Sequence, residues 1–246
     1  MKIFVSDTYQ TMSKRAADDV IEMMSSRKEP LICTASGDSP AGLYKEIVER
    51  VGKKQLNVSD WFFVGLDEWA GMNANDDGSC RYHLDQQLFR PLGIPSERIC
   101  FFDGRGDLQA ECDRTENFID EHGGIDVAIL GLGMNGHIGM NEPGTSARMY
   151  SHITDLDPTT QQVGQKYFKK QQTLTHGVTL GMATLMEARN IILLIGGKHK
   201  ADIAQQVIED DISEKIPGTL LRKHPGLKIF LDSQAASKMI NADTHD

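Results

Sequence analysis

A glycine-rich run near the middle of the chain brings an amide, an imidazole and a carboxylate into one turn: Gly131-Leu132-Gly133-Met134-Asn135-Gly136-His137-Ile138-Gly139-Met140-Asn141-Glu142-Pro143-Gly144. An imidazole oriented by a carboxylate can move protons near neutral pH, so Asn135, His137 and Glu142 are candidates for acid–base chemistry. The bland alternative is a histidine that only satisfies loop carbonyls. Gly131, Gly133 and Gly136 also fit G-x-G-x-x-G. A dinucleotide loop, however, needs a helix opening at its last glycine and an acid about 20 residues on. Gly139, Pro143 and Gly144 follow too soon for a long helix. No His, Cys and carboxylate set has firm ligand spacing, so no metal is expected.

Three other turns carry reactive or charged groups. Ser36-Gly37-Asp38-Ser39-Pro40 enters a helix, and its hydroxyls, glycine backbone and helix N-terminus suit a phosphate. Read blandly, it is a βα turn with a capping serine, and Asp38 would have to point away from any bound anion. Gly65-Leu66-Asp67-Glu68-Trp69 puts two carboxylates directly after an apolar strand, of which one should face a ligand; a solvated acidic turn reads equally well. Gly196-Gly197-Lys198-His199-Lys200 enters another helix. A lysine in a first turn opposes the macrodipole unless it reaches an anion, which makes Lys200 the candidate and Lys198 a solvated neighbour.

The elements that must position these groups are legible in the apolar pattern. Strands are expected at Lys2–Val5, Leu31–Thr34, Trp61–Val64, Ile99–Phe102, Asp126–Leu130, Asn190–Ile195 and Leu227–Leu231. Several are unbroken apolar runs, as in strands buried on both faces of a parallel sheet. Between them, Met12, Ala16, Val20 and Met24 recur at helical period, and Ala41–Val51, Ser79–Leu88, Leu108–His122 and Lys198–Glu209 read as helices. The alternation predicts an α/β fold: a Rossmann-like, doubly wound, mostly parallel sheet with helices on both faces, as a single domain over 1–246. Ligands of such folds lie beyond the carboxyl ends of the strands, where all four turns fall.

Composition limits the partners. The 246 residues are 39% hydrophobic and carry a net charge of −9, which argues against nucleic acid or an anionic membrane as partner. No apolar stretch approaches the roughly 20 residues of a membrane span, and the N-terminus has no long apolar core of a signal peptide. Cys33, Cys80, Cys100 and Cys112 form no C-x-x-C pair, Cys33 and Cys100 read as core thiols, and a reduced, cytoplasmic protein is expected.

Taken together, Ser-Gly-x-Ser-Pro, Leu-Asp-Glu-Trp, Gly-x-Gly-x-Asn-Gly-His-Ile-Gly-x-Asn-Glu-Pro-Gly and Gly-x-x-Lys-Ala, each after a strand, resemble the glucosamine-6-phosphate deaminase/isomerase family, whose fold is shared with 6-phosphogluconolactonase. The likeness runs from about Ile3 to about Leu231. Lactonases differ at Asn141-Glu142-Pro143, where they lack the carboxylate. Gly78-Ser79-Cys80, Ser151 to Asp157, Thr160-Gln161-Gln162, Gly177 to Gly181 and Ile216-Pro217 look most like the galactosamine-6-phosphate isomerase branch. The resemblance implies conversion of galactosamine 6-phosphate to tagatose 6-phosphate and ammonia, with glucosamine 6-phosphate to fructose 6-phosphate as the alternative. A lactonase-type hydrolase or a non-catalytic sugar-phosphate sensor ranks below both.

By the same resemblance Asp67 carries a proton between C2 and C1, His137 serves the ring oxygen O5, and Glu142 orients His137. Asn135 stands where many relatives have aspartate. Ser36, Gly37, Ser39 and Lys200 hold the phosphate, and Lys166 falls where relatives have an arginine. The C1/C2 carbonyl–imine system acidifies the C–H, so no cofactor is expected. Small sugar phosphates are the expected partners, and a homo-oligomer is allowed. His152 and Thr154 replace the effector-binding Arg and Lys of allosteric relatives, and the Ser79-Cys80-Arg81 edge is the expected reader of the C4 hydroxyl.

Overall fold

The computed structural model describes residues 1–239. In chain order its elements are β1 (Lys2–Ser6), α1 (Tyr9–Ser25), β2 (Leu31–Thr34), α2 (Asp38–Gly52), β3 (Phe62–Gly65), β4 (Asp67–Trp69), α3 (Cys80–Leu84), α4 (Arg90–Leu92), β5 (Ile99–Cys100), α5 (Leu108–Glu121), β6 (Val127–Gly131), β7 (His152–Asp155), α6 (Pro158–Gly164), β8 (His176–Thr179), α7 (Met182–Met186), β9 (Asn190–Ile195), α8 (Ala201–Glu209) and β10 (Leu227–Asp232). Seven strands form one sheet in the order β1-β10-β9-β6-β2-β3-β5. Every pairing in it is parallel.

The unbroken apolar runs are divided by the period of two along a strand. Ile191, Leu193 and Ile195 enter one buried cluster with residues of α5, α7 and α8. Ile192 and Leu194 enter the other, with residues of α1, α2 and α3. Helices therefore cover both faces, as the sequence predicts. Local chemistry fixes their starts. Thr8 and Thr11 form a reciprocal capping box on α1, and the Asp107 carboxylate accepts the first N–H groups of α5.

The chain leaves β2 toward β3 and β5, then returns to the other side of β2 as β6. The loops after β2 and β6 therefore splay apart at the strand ends, the place where doubly wound sheets bind ligands. They are the Ser36–Ser39 loop and the glycine-rich run.

Three departures from the sequence expectation bear on the site. The acidic turn after β3 is a strand, β4, which leaves the main sheet and pairs antiparallel with β8; β8 in turn pairs with β7. These three strands are short and partly polar, so no apolar run announces them. The helix expected over Ser79–Leu88 continues to Leu92 with a π turn at Asp85–Phe89. Pro91 has no N–H for the carbonyl four residues back, and the helix widens just before it. The helix after β9 opens with a 3-10 turn, Lys198–Lys200, before α8. Among the described residues no helix is long and apolar enough to cross a membrane.

Leu193 is fully buried at the centre of the sheet. Leu193→Ala should lower the unfolding free energy by about 3–4 kcal/mol, read as a lower denaturant midpoint with an unchanged slope.

Candidate active site

The anion end is built at the start of α2. Gly37 caps that helix at φ +103° with no side-chain hydrogen bond, so the first-turn N–H groups carry no side-chain cap. Only glycine suits this position: the backbone is left-handed, and a Cβ would stand 2.9 Å from the Tyr167 Oη. The Asp38 side chain is 78% exposed, and its Oδ2 lies 2.6 Å from Lys166 Nζ; both residues line the cavity described below. From the start of α8, Lys200 Nζ donates to the Leu132 carbonyl at 2.6 Å. Burial, helped by the Lys166 charge, lowers the Lys200 ammonium to about 8.

The two acidic neighbours separate because they lie on a strand. Glu68 is fully buried and faces α3, where Oε1 accepts the Trp69 and Cys80 N–H groups at 2.9 Å and Oε2 accepts that of Arg81 at 3.0 Å. It fastens β4 to the helix start. Asp67 faces the opposite way, into the cavity, at 9% exposure. Burial raises its carboxyl to about 6, against a hydrogen bond from Cys80 and the attraction of His137.

The glycine-rich run is a tight loop. His137 rests over Gly133, where a Cβ would come within 2.4 Å of ring Cδ2 and Nε2. The His137 Nδ1 lies 3.0 Å from Thr160 Oγ1 and 3.4 Å from Glu142 Oε2. Asn135 Nδ2 donates to the same Glu142 oxygen at 3.1 Å, and Asn135 Oδ1 accepts the His137 N–H at 3.2 Å. Burial would raise the Glu142 carboxyl, but the bonds from His137, Thr160 and Asn135 outweigh it and hold the group below its usual range.

Ser36, Gly37, Ser39, Asp67, His137, Lys166 and Lys200 all line one cavity of about 610 Å³. Asn135 and Glu142 do not line it; they stand behind His137. Among the described residues, no group of three or more His, Cys, Asp or Glu side chains could hold a metal ion.

A family model for glucosamine-6-phosphate isomerases/6-phosphogluconolactonase matches residues 5–229. The chain belongs to this family. It is 34% identical over 237 residues to a glucosamine-6-phosphate deaminase of Oceanobacillus iheyensis, covering 96% of this chain and 95% of that one. A deaminase of the same name from Thermoanaerobacter pseudethanolicus is 32% identical over 245 residues, 99% of this chain and 97% of that one. Among solved structures, one described as a monomeric glucosamine-6-phosphate deaminase superposes with a TM-score of 0.93 at 32% identity, covering 97% of this chain and 100% of that one. The 6-phosphogluconolactonase of Trypanosoma brucei reaches a TM-score of 0.76 at 20% identity, covering 97% and 98%, and attests the shared fold alone. The chain is an enzyme of the amino-sugar-phosphate isomerase/deaminase kind.

Three contributors to this family member's cavity are not apparent from the sequence. Tyr9 Oη donates to the Asp38 carbonyl at 2.6 Å and accepts the Gly42 N–H at 2.8 Å, which braces the anion loop from α1. Tyr167 packs under Gly37, and Thr160 reaches His137. Tyr9 extends the apolar stripe of α1, but nothing in that pattern tells where its hydroxyl goes, and the α6 stretch has no apolar period. Of the Ser79-Cys80-Arg81 edge, only Cys80 reaches the cavity. Ser79 caps α3 through the Tyr82 N–H, and Arg81 pairs with Asp85 at 2.7 Å.

Gly133→Ala should push the imidazole off its seat. Turnover should fall by about 10²-fold or more, the scale of a lost acid–base group, while the denaturation midpoint stays near that of the parent. Turnover within a few-fold of the parent would show that the ring tolerates the methyl group.

Proposed function

We propose that the enzyme is a glucosamine-6-phosphate deaminase, converting glucosamine 6-phosphate and water to fructose 6-phosphate and ammonia. The observation that carries this reading is one cavity lined by an anion loop with its lysine, an isolated buried carboxylate, and an imidazole backed by a carboxylate. A sugar phosphate anchored at Ser36, Gly37, Ser39 and Lys200, with Lys166 completing the charge, presents its other end to Asp67 and His137.

Three steps follow. His137 Nε2 takes the hemiacetal O–H proton and returns it to O5 as the C1–O5 bond breaks. Asp67 carries the C2 proton to C1, while a proton passes from the amine nitrogen to O1. The resulting ketimine adds water and expels ammonia. Asp67 suits its role because burial keeps a carboxylate basic enough to abstract a proton near neutral pH. The phosphate supplies binding remote from the reacting carbons, which can be spent on orientation.

The galacto preference expected from the sequence gives way to the gluco reading. The relatives at 32–34% identity that cover nearly the whole chain are named glucosamine-6-phosphate deaminases. Neither the lactonase reading nor the sensor reading accounts for a base carboxylate placed apart from a backed imidazole.

An ammonia-release assay on both amino sugar 6-phosphates and on 6-phosphogluconolactone tests this. A clear preference for the gluco substrate is expected; preference for galactosamine 6-phosphate restores the galacto reading, and lactone turnover alone overturns the class. Asp67→Asn should cut turnover by about 10²–10⁴-fold while sugar-phosphate binding survives, and loss of binding with unchanged turnover would remove Asp67 from the base role. The base works ionised, so kcat/KM should fall as pH drops below about 6. Lys200 holds an anion only when charged, so KM should rise as pH climbs through about 8.

A further inference from the structure

Thr160 is buried on α6, far in sequence from the glycine-rich loop, and its hydroxyl lies 3.0 Å from the His137 Nδ1. The Glu142 carboxylate is farther from the same nitrogen, at 3.4 Å. A charge-assisted N–H···O bond is about 2.7–2.9 Å long, so the direct imidazole–carboxylate contact is loose and the hydroxyl is the nearer partner.

We propose that Thr160 is a positioning residue for His137, its hydroxyl bonded to Nδ1 and fixing the ring proton on that nitrogen. This inference rests on the assignment of His137 as the group that opens the sugar ring. The proton assignment follows from the hydrogen-bonding capacity of each group. An ionised carboxylate only accepts; a hydroxyl donates one hydrogen and accepts through its lone pairs. If Nδ1 carries the proton, it donates to Thr160 Oγ1, with the Glu142 carboxylate as a second acceptor 3.4 Å away. If Nδ1 is bare, it takes the hydroxyl hydrogen, but its lone pair then faces the carboxylate across 3.4 Å, acceptor against acceptor. The first arrangement leaves Nε2, which rests over Gly133 in the cavity wall, unprotonated and ready to take the hemiacetal proton. As Nε2 becomes protonated, the ring charge is stabilised by the Glu142 carboxylate, 3.4 Å from Nδ1.

The test uses Thr160→Val, which keeps the shape and removes the hydroxyl, and Thr160→Ser, which keeps the hydroxyl. In ammonia release from glucosamine 6-phosphate, T160V should lower kcat roughly tenfold with KM within about twofold, a part of what a positioned acid or base contributes, and T160S should recover most of the loss. In ¹⁵N spectra of histidine-labelled protein, with His137 assigned by its loss in H137Q, the parent and T160S should show the Nδ1-protonated ring and T160V a mixture of tautomers. An unchanged kcat in T160V, a T160S enzyme as impaired as T160V, or the same tautomer in parent and T160V would overturn the proposal. A parent that releases no ammonia would sink the deaminase reading instead, and the tautomer measurement would still decide the role of Thr160.

Discussion

A buried carboxylate is costly to keep ionised unless donors surround it, and the site is organised around meeting that requirement at Glu142. Asn135, Thr160 and His137 gather on its Oε2 side, while Oε1 has no hydrogen-bond partner. Holding these donors together demands a rigid loop. Asn141 provides it, its side-chain amide donating to the carbonyls of Ile138 and Leu180, both at 2.8 Å. Met140 N–H adds a bond to Thr179 Oγ1, and Gly139 at φ +59° lets the loop lie so close to β8 that a Cβ would meet that oxygen at 2.8 Å. Asn141 thus serves the chemistry without touching the cavity.

The two sheets supply different halves of the site. The parallel sheet opens at the β2/β6 switch point and provides the anion loop, the imidazole loop and, after β9, Lys200. The antiparallel sheet provides Asp67. A strand points alternate residues to opposite sides, so β4 sends Asp67 to the cavity and Glu68 to the start of α3. One carboxylate stays poorly solvated, with a raised pKa, and its neighbour is consumed in holding the strand in place.

The segment from α6 to the following 3-10 turn joins these halves. Thr160 at one end touches the imidazole, and Lys166 and Tyr167 at the other touch the anion loop. Contacts to Gly37 and Asp38 and the contact to His137 are therefore carried by a single short piece of chain, less than three helical turns long in sequence. A sugar phosphate that spans the cavity meets both ends of this piece.

How much of this is legible from the chain itself varies with the physics involved. The parallel sheet is visible because strands buried on both faces need unbroken apolar runs, as in Ile191 to Ile195, and the reactive turns are visible because glycine and charge break those runs. Ser36, Asp67, His137 and Lys200 stand where such turns follow strands, so their presence at one edge is a consequence of topology. The second sheet is not visible, because Asp67–Trp69 and His176–Thr179 are too short and too polar to show a period. Residue type and spacing alone do not separate Asp67 from Glu68, or Lys166 from any surface lysine; only the family resemblance does. What the sequence determined by itself is local: which segments become strands or helices and which turns carry reactive groups, since these follow from period and residue type. What only the tertiary structure decided is partnership: that Asn135 and Glu142 stand behind the ring, that Thr160 reaches it, and that Tyr9 braces the anion loop. Such contacts join residues far apart along the chain, and hydrogen bonds and burial depend on distance in space, which no spacing along a sequence encodes.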